Sequence, residues 1–81
     1  MSNIMKLRTA PGKVFWTGKL PEKDDFGDTY GSVMVDGKTR MGQWANMTGR
    51  SWRIYGVGKY GTGLGQRYVK TLDGRWMKVE G

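Results

Sequence analysis

The chain has 81 residues, no cysteine and no histidine, and its 14 basic and 7 acidic residues give a formal net charge of +7. This length fits one small domain over residues 1–81, and the composition excludes disulfides and the commonest zinc ligands. No apolar run approaches the roughly 20 residues needed to cross a bilayer, and the N-terminus lacks the apolar segment of a signal peptide. We therefore expect a cytoplasmic protein with no cofactor, no metal and no membrane partner.

Positive charge is concentrated in the second half of the chain. Residues 1–37 contain five basic and five acidic residues, so the whole net charge of +7 lies in residues 38–81. A field of this sign attracts polyanions such as nucleic acid, and it also attracts the acidic surface of another protein.

The first third of the chain predicts an edge strand or ordered arm, then a strand, then a loop. Residues 1–12 alternate loosely and end at a Pro-Gly turn signal, which indicates an edge strand or an ordered arm. Residues 13–20 (KVFWTGKL) are rich in β-branched and aromatic residues and predict a strand. Residues 21–31 (PEKDDFGDTYG) predict a solvated acidic loop, whose aspartates match no calcium-loop spacing.

Residues 32–40 predict a hairpin. Val33 and Val35 lie at alternating positions, Asp36-Gly37 supplies the turn, and the return strand begins near Lys38.

Residues 48–55 allow two alternatives. Thr48 as N-cap, Trp52 packed back on Met47, and Gly56 as the stop favour a short helix. A strand over residues 52–55 is the competing interpretation. Three of the four tryptophans are expected in the core, namely Trp16, Trp44 and Trp52.

Glycine occupies nearly every second position between residues 56 and 65. Residues 56–61 match G-x-G-x-x-G, but no helix start follows and the chain is too short for a dinucleotide-binding βαβ fold. Two interpretations remain. The glycines either serve turns with positive φ, or let the backbone approach a phosphate that Lys59 neutralises.

The last predicted unit is a β-hairpin over residues 66–79. On its second strand Met77 and Val79 share one face, so Trp76 and Lys78 share the other. The apolar pair belongs inward, which predicts that Trp76 faces solvent beside Lys78.

The turn of this hairpin has two alternatives. A three-residue turn at residues 72–74 places Tyr68 and Lys70 across from the outward pair, whereas a two-residue turn places Arg67 and Thr71 there. Either register combines aromatic rings with positive charge.

These elements predict a mostly β fold, a small β-rich α+β domain. Its architecture is a compact, partly open barrel or curved antiparallel sheet of about five strands, with at most one short helix. Catalysis is not indicated, because the sequence has no histidine or cysteine and no serine in a nucleophile-elbow pattern.

Cations interleaved with aromatic rings predict non-catalytic nucleic-acid binding, with single strands favoured. The alternative is a small protein-interaction module, an inhibitor or accessory subunit, that docks on an acidic surface of a larger enzyme or assembly. A homodimer is compatible with either. The predicted binding residues are Arg50, Arg53, Tyr55, Lys59, Tyr60, Arg67, Tyr68, Lys70, Trp76 and Lys78.

Overall fold

The computed structural model describes residues 12–81, so most of the edge strand or arm predicted over residues 1–12 lies outside the described residues. The elements are strand β1 (Val33–Lys38), strand β2 (Trp44–Thr48), helix α1 (Gly49–Tyr55), strand β3 (Gly65–Lys70) and strand β4 (Trp76–Glu80). The strands form one antiparallel sheet in the order β2-β1-β3-β4, which is curved and does not close. The prediction of a mostly β fold with one short helix is confirmed. Within residues 12–81, no helix has the length and apolar character to cross a bilayer.

Residues 13–20 add only a short piece to the outer edge of β4. Phe15 forms a single bridge with Met77, flanked by two backbone hydrogen bonds of 2.9 and 2.7 Å between the same segments. The predicted strand is therefore limited to residues 14–16.

The turn predicted at Asp36-Gly37 is wrong, because both residues lie inside β1. Asp36 pairs with Asn46 of β2, and Gly37 pairs with Gly65 of β3. The Asp36 carboxylate accepts hydrogen bonds from Trp44 Nε1 (2.6 Å) and Asn46 Nδ2 (2.9 Å). The Asp36 side chain thus bonds to residues of the neighbouring strand β2 and does not form part of a turn.

The chain reverses at residues 40–42 instead, where Gly42 has a φ of +96°. Arg40 ties this turn to α1, because its guanidinium lies where the helix dipole is negative and unpaired carbonyls need donors. It donates to the carbonyl oxygens of Arg53 (3.3 Å), Ile54 (2.5 Å) and Gly56 (3.1 Å).

Helix α1 confirms the favoured alternative for residues 48–55. Thr48 is the N-cap, and its hydroxyl accepts a hydrogen bond from Ser51 N (3.1 Å). The helix ends at Gly56, whose N–H donates to the Trp52 carbonyl (2.9 Å). Met47, just before the cap, and Trp52 both belong to the main core cluster, as the predicted contact between them requires.

The Trp52 indole lies against three glycines. A Cβ atom would come within 2.0 Å of the ring at Gly56, within 2.8 Å at Gly37 and within 3.1 Å at Gly65. Because Gly37 and Gly65 are paired neighbours on β1 and β3, the ring covers a part of the sheet that has no side chains. This contact fixes how closely α1 approaches the sheet.

The glycine run after α1 therefore has a structural role at two of its positions, Gly56 and Gly65. Between them, Gly58 (φ +80°) and Gly63 (φ +78°) adopt a conformation that side chains rarely allow. The structure supports the turn interpretation at Gly58 and Gly63, whereas Gly56 and Gly65 are needed for the close contact with Trp52. The phosphate-binding interpretation of Lys59 stays a prediction.

The two faces of the sheet are covered differently. The helix face packs against α1 in the main core cluster of Val35, Ala45, Met47 and Trp52. The opposite face, here called the loop face, carries the buried Met34 and Tyr68. Trp16, from the segment before β1, meets Tyr68 edge-on with ring centroids 5.6 Å apart.

The prediction that Trp44 lies in the core is wrong. Trp52 is 6% exposed and Trp16 is half-buried, but Trp44 is 47% exposed. The reason is its position on the edge strand β2, where its indole N–H is bonded to Asp36 and its ring has no neighbouring strand to cover it.

We expect Gly56→Ala to destabilise the fold by about 1–3 kcal/mol, because the added methyl group overlaps the Trp52 ring. Denaturant unfolding measures this change. The matched control is Gly49→Ala, where the nearest atom is an ordinary 3.7 Å from the new Cβ and the first helical position favours alanine. Equal losses in the two variants would contradict the packing role of Gly56.

Candidate functional site

The β3–β4 hairpin places aromatic rings and cations on one face. Tyr68 pairs with Lys78, and Lys70 pairs with Trp76. This is the register of a three-residue turn at residues 72–74, closed by a backbone hydrogen bond of 2.7 Å. These four side chains therefore share the loop face, and Trp76 and Lys78 lie on the same face as predicted. The predicted solvent-facing position of Trp76 is not found, because Tyr30 packs against its ring and leaves it half-buried.

The predicted inward position of Val79 is wrong. The register shifts between Arg67 and Tyr68, so Val79 is an extra residue of β4 with no partner on β3. Val79 is consequently 40% exposed, whereas Met77, which keeps its pairing, is half-buried.

The Trp76 indole is half-buried and forms one wall of a cleft with a volume of about 480 Å³. The Tyr30 ring meets it edge-on, with centroids 6.0 Å apart at 61°. Lys70 Nζ lies 5.8 Å from the Trp76 ring centroid, within the range of a cation–π contact. The remaining walls include Lys19 and Glu22. The cleft thus combines an accessible π system with two ammonium groups.

Tyr30 is a neutral wall of this cleft at physiological pH. Burial, together with the carboxylates of the loop that precedes it and of Asp36, raises the pKa of Tyr30 to about 12.

The loop that carries Glu22 and Tyr30 is anchored by Asp24. We call residues 22–30 the acidic loop. Asp24 is buried, and its Oδ1 accepts hydrogen bonds from the backbone N–H groups of Phe26 (2.9 Å) and Asp28 (2.8 Å). Its Oδ2 accepts from Thr48 N (2.8 Å). The prediction of a solvated loop is wrong for Asp24. Its carboxylate accepts hydrogen bonds from backbone N–H groups that would otherwise be buried without a partner.

Two more aspartates attach the acidic loop to β2. Asp25 Oδ2 accepts from Asn46 N (2.8 Å), and Asp28 Oδ2 accepts from Thr48 Oγ1 (2.6 Å). These bonds hold the loop, and therefore the Tyr30 side of the cleft, against the sheet. Over residues 12–81, no group of three or more acidic side chains is arranged to hold a metal ion.

The other predicted binding residues lie away from Trp76. Arg67 stands opposite Val35 and so belongs to the helix face, and α1 packs on that same face. The sheet therefore divides the ten predicted residues into two groups instead of presenting one surface. The group away from the cleft consists of Arg50, Arg53, Tyr55, Lys59, Tyr60 and Arg67.

Three of the predicted residues are engaged within the fold. Tyr60 stacks on Trp52 with centroids 5.4 Å apart, and burial raises its pKa. Arg67 Nε lies 2.8 Å from Glu80 Oε1 in a salt bridge. Tyr68 is 8% exposed, and burial raises its pKa as well. Tyr68 is therefore a core side chain, and Tyr60 is a partly buried side chain that packs against the main core cluster.

Sequence reasoning missed the residues that complete the cleft, Lys19, Glu22 and Tyr30. They precede β1 and meet Trp76 only through the path of the acidic loop over the loop face. The available signal was an aromatic residue beside an acidic run, and such a pattern does not specify a tertiary neighbour.

Comparisons of the chain with family models, with curated proteins and with solved structures find no match. The function is therefore argued from the site alone.

We expect the stability of the protein to fall in acid through Asp24. Burial raises the pKa of this carboxyl, but the hydrogen bonds it accepts, first that from the Ser51 side chain, outweigh burial and leave the pKa below its ordinary 3.8. The stability that Asp24 contributes is therefore fully present above the pKa of this carboxyl in the unfolded chain. It is lost as the pH falls through the lower pKa of the folded state.

Urea unfolding at several pH values tests this contribution. Asp24→Asn should lose about 1–3 kcal/mol at pH 7, since an amide cannot replace both acceptor oxygens. The variant should also show a smaller loss of stability between pH 5 and pH 2 than the wild type. Parallel pH profiles for the two proteins would show that Asp24 does not carry the effect.

Proposed function

We propose that this protein binds single-stranded nucleic acid at the cleft beside Trp76, without catalysis. The observation that carries the proposal is the half-buried Trp76 indole, open to a cleft of about 480 Å³ with Lys70 beside its ring and Lys19 in another wall. Stacking surface next to ammonium groups is the combination that single-strand sites use.

The chemistry of the cleft suits one unpaired nucleotide. A base stacks on Trp76, and Lys70 and Lys19 neutralise the phosphates on either side of it. The carboxylate of Glu22 is an acceptor for an amino or imino group on the edge of a base. The volume lies within the roughly 300–1,000 Å³ of small-ligand sites. A duplex does not offer an unstacked base, so this geometry favours a single strand.

The surroundings of the cleft extend the same chemistry. Lys78 lies two residues beyond Trp76 on the loop face of β4, and Lys13 is exposed just before the short segment that pairs with β4. The net charge of +7 adds a long-range attraction for polyanions. The walls of the cleft come from a single chain, so the proposal does not depend on a homodimer. We place this role in the cytoplasm, as the composition predicts.

The cations of the helix face have a different part in this proposal. Arg50 and Arg53 lie beyond the sheet from Trp76, so a short strand seated in the cleft does not reach them. They contribute only to the long-range field, which salt screens over about 10 Å.

We expect Trp76→Ala to weaken binding of a short single-stranded oligonucleotide by about 1–3 kcal/mol, or roughly 5–150-fold, because one base loses its stacking surface. Fluorescence anisotropy with a labelled homopolymer of each base gives the affinities. Trp44→Ala is the matched control, since Trp44 is exposed at the opposite edge of the sheet and lines no part of the cleft. Wild-type affinity in Trp76→Ala would exclude the cleft as the site.

The salt dependence of binding should identify the cations involved. If Lys19, Lys70 and Lys78 each neutralise one phosphate, the slope of log K against log salt is about −2, at roughly −0.7 for each contact. Replacing any one of the three by Gln should make the slope less steep by about 0.7. The control is Arg50→Gln combined with Arg53→Gln, for which we expect an unchanged slope. A larger change in the control than in the lysine variants would move the binding site to the helix face.

A further inference from the structure

An exposed apolar cluster lies where the tip of the acidic loop meets α1 and the β1–β2 turn. We call Phe26, Met41, Ile54 and Tyr55 the apolar patch. Their exposed fractions are 39%, 81%, 48% and 42%, respectively. None of the four belongs to the main core cluster. Grouped apolar side chains of this kind on a small protein mark interaction sites more often than isolated ones do.

The apolar patch is preformed. The Phe26 and Tyr55 rings stack in parallel, with centroids 4.1 Å apart and an angle of 12° between their planes. Asp24 holds the loop that carries Phe26, and the bonds from Arg40 to the end of α1 hold the turn that carries Met41. Two hollows of about 210 and 250 Å³ share the side chains of Phe26, Ile54 and Tyr55 as walls.

The charges around the apolar patch are mainly positive. Arg50 lines one hollow and Arg40 the other, while Arg53 lies on α1 next to Ile54. The salt bridges within residues 12–81 are Arg67–Glu80 and Arg75–Asp73, so none of these three arginines has an acidic partner there. Asp28 is the acidic residue that lines a hollow, and its carboxylate is bonded to Thr48.

These charges select among three kinds of occupant. A second copy of this chain would bring like-charged arginines together around the contact, which is unfavourable. Nucleic acid finds less stacking surface here than at a free ring, because Phe26 and Tyr55 cover one face of each other and Met41 and Ile54 are aliphatic. A protein segment with an apolar side chain between acidic residues satisfies both the hollows and the arginines.

We infer that the apolar patch is a docking site for an acidic, amphipathic segment of another protein. An apolar anchor of that segment fills a hollow beside the Phe26–Tyr55 stack, and its carboxylates pair with Arg50 and Arg53. This site is separate from the Trp76 cleft and does not depend on nucleic-acid binding.

Selection from a display library of short random peptides against the full chain tests the inference. We expect the enriched peptides to contain an aromatic or aliphatic residue flanked by Asp or Glu. As synthetic peptides, they should bind Ile54→Glu and Met41→Glu at least tenfold more weakly than wild type, and Arg53→Gln several-fold more weakly. Circular dichroism checks that each variant is folded, and both glutamate positions are exposed enough to accept the change.

The matched control is Leu72→Glu, which adds the same charge at a fully exposed leucine of the β3–β4 turn, outside the apolar patch. We expect it to bind the peptides several-fold more tightly than Ile54→Glu does. Trp76→Ala should bind them as the wild type does, which separates this test from that of the cleft. No enriched peptide, peptides without acidic residues, or equal loss in Leu72→Glu and Ile54→Glu would overturn the inference. Self-association of the wild type in sedimentation that disappears in Met41→Glu would overturn it in favour of a second copy.

Discussion

The contact of the Trp52 indole with three glycines is the constraint on which the rest of the structure depends. The ring lies over Gly37 and Gly65, a paired position of the two central strands, and against Gly56 at the end of its own helix. It joins α1, β1 and β3 at one point in a protein whose size leaves little other apolar volume. The same contact explains why Asp36-Gly37 continues a strand. Gly37 would suit a turn, but it lies within a strand because the Trp52 ring leaves no room for a side chain at this position.

The sequence predicted those parts of the structure that depend on neighbours in the chain. The N-cap Thr48 and the stop at Gly56 lie within the helix they bound, and the parity of β4 places Trp76 and Lys78 together from local geometry alone. The failures involve distant partners. The acidic run predicts a hydrated Asp24, yet its carboxylate accepts a hydrogen bond from a strand that begins 20 residues later. Likewise, Tyr68 is on the predicted face but is covered by Trp16, whose path the sequence does not specify.

The candidate site was predictable to a similar degree. Trp76, Lys70 and Lys78 follow from the hairpin, whereas Lys19, Glu22 and Tyr30 depend on how the acidic loop crosses the sheet. The sequence also predicts a single surface for six basic residues of the second half, namely Arg50, Arg53, Lys59, Arg67, Lys70 and Lys78. The fold separates them, because α1 carries its arginines to one side of the sheet while the hairpin presents its lysines on the other. The apolar patch with its arginines and the aromatic cleft with its lysines therefore share no lining residue, although the acidic loop contributes to both.

The acidic loop has one more consequence, through the strand that it borders. β2 is an edge strand, and its outward N–H groups at Asn46 and Thr48 are occupied by the carboxylates of Asp25 and Asp24. The Asn46 carbonyl in turn accepts from Asp25 N (3.1 Å). Residues 14–16 take the corresponding place beside β4. Within residues 12–81, parts of both borders of the sheet are therefore already paired by the chain's own backbone and carboxylates, which leaves a neighbouring molecule fewer backbone groups on which to add a strand.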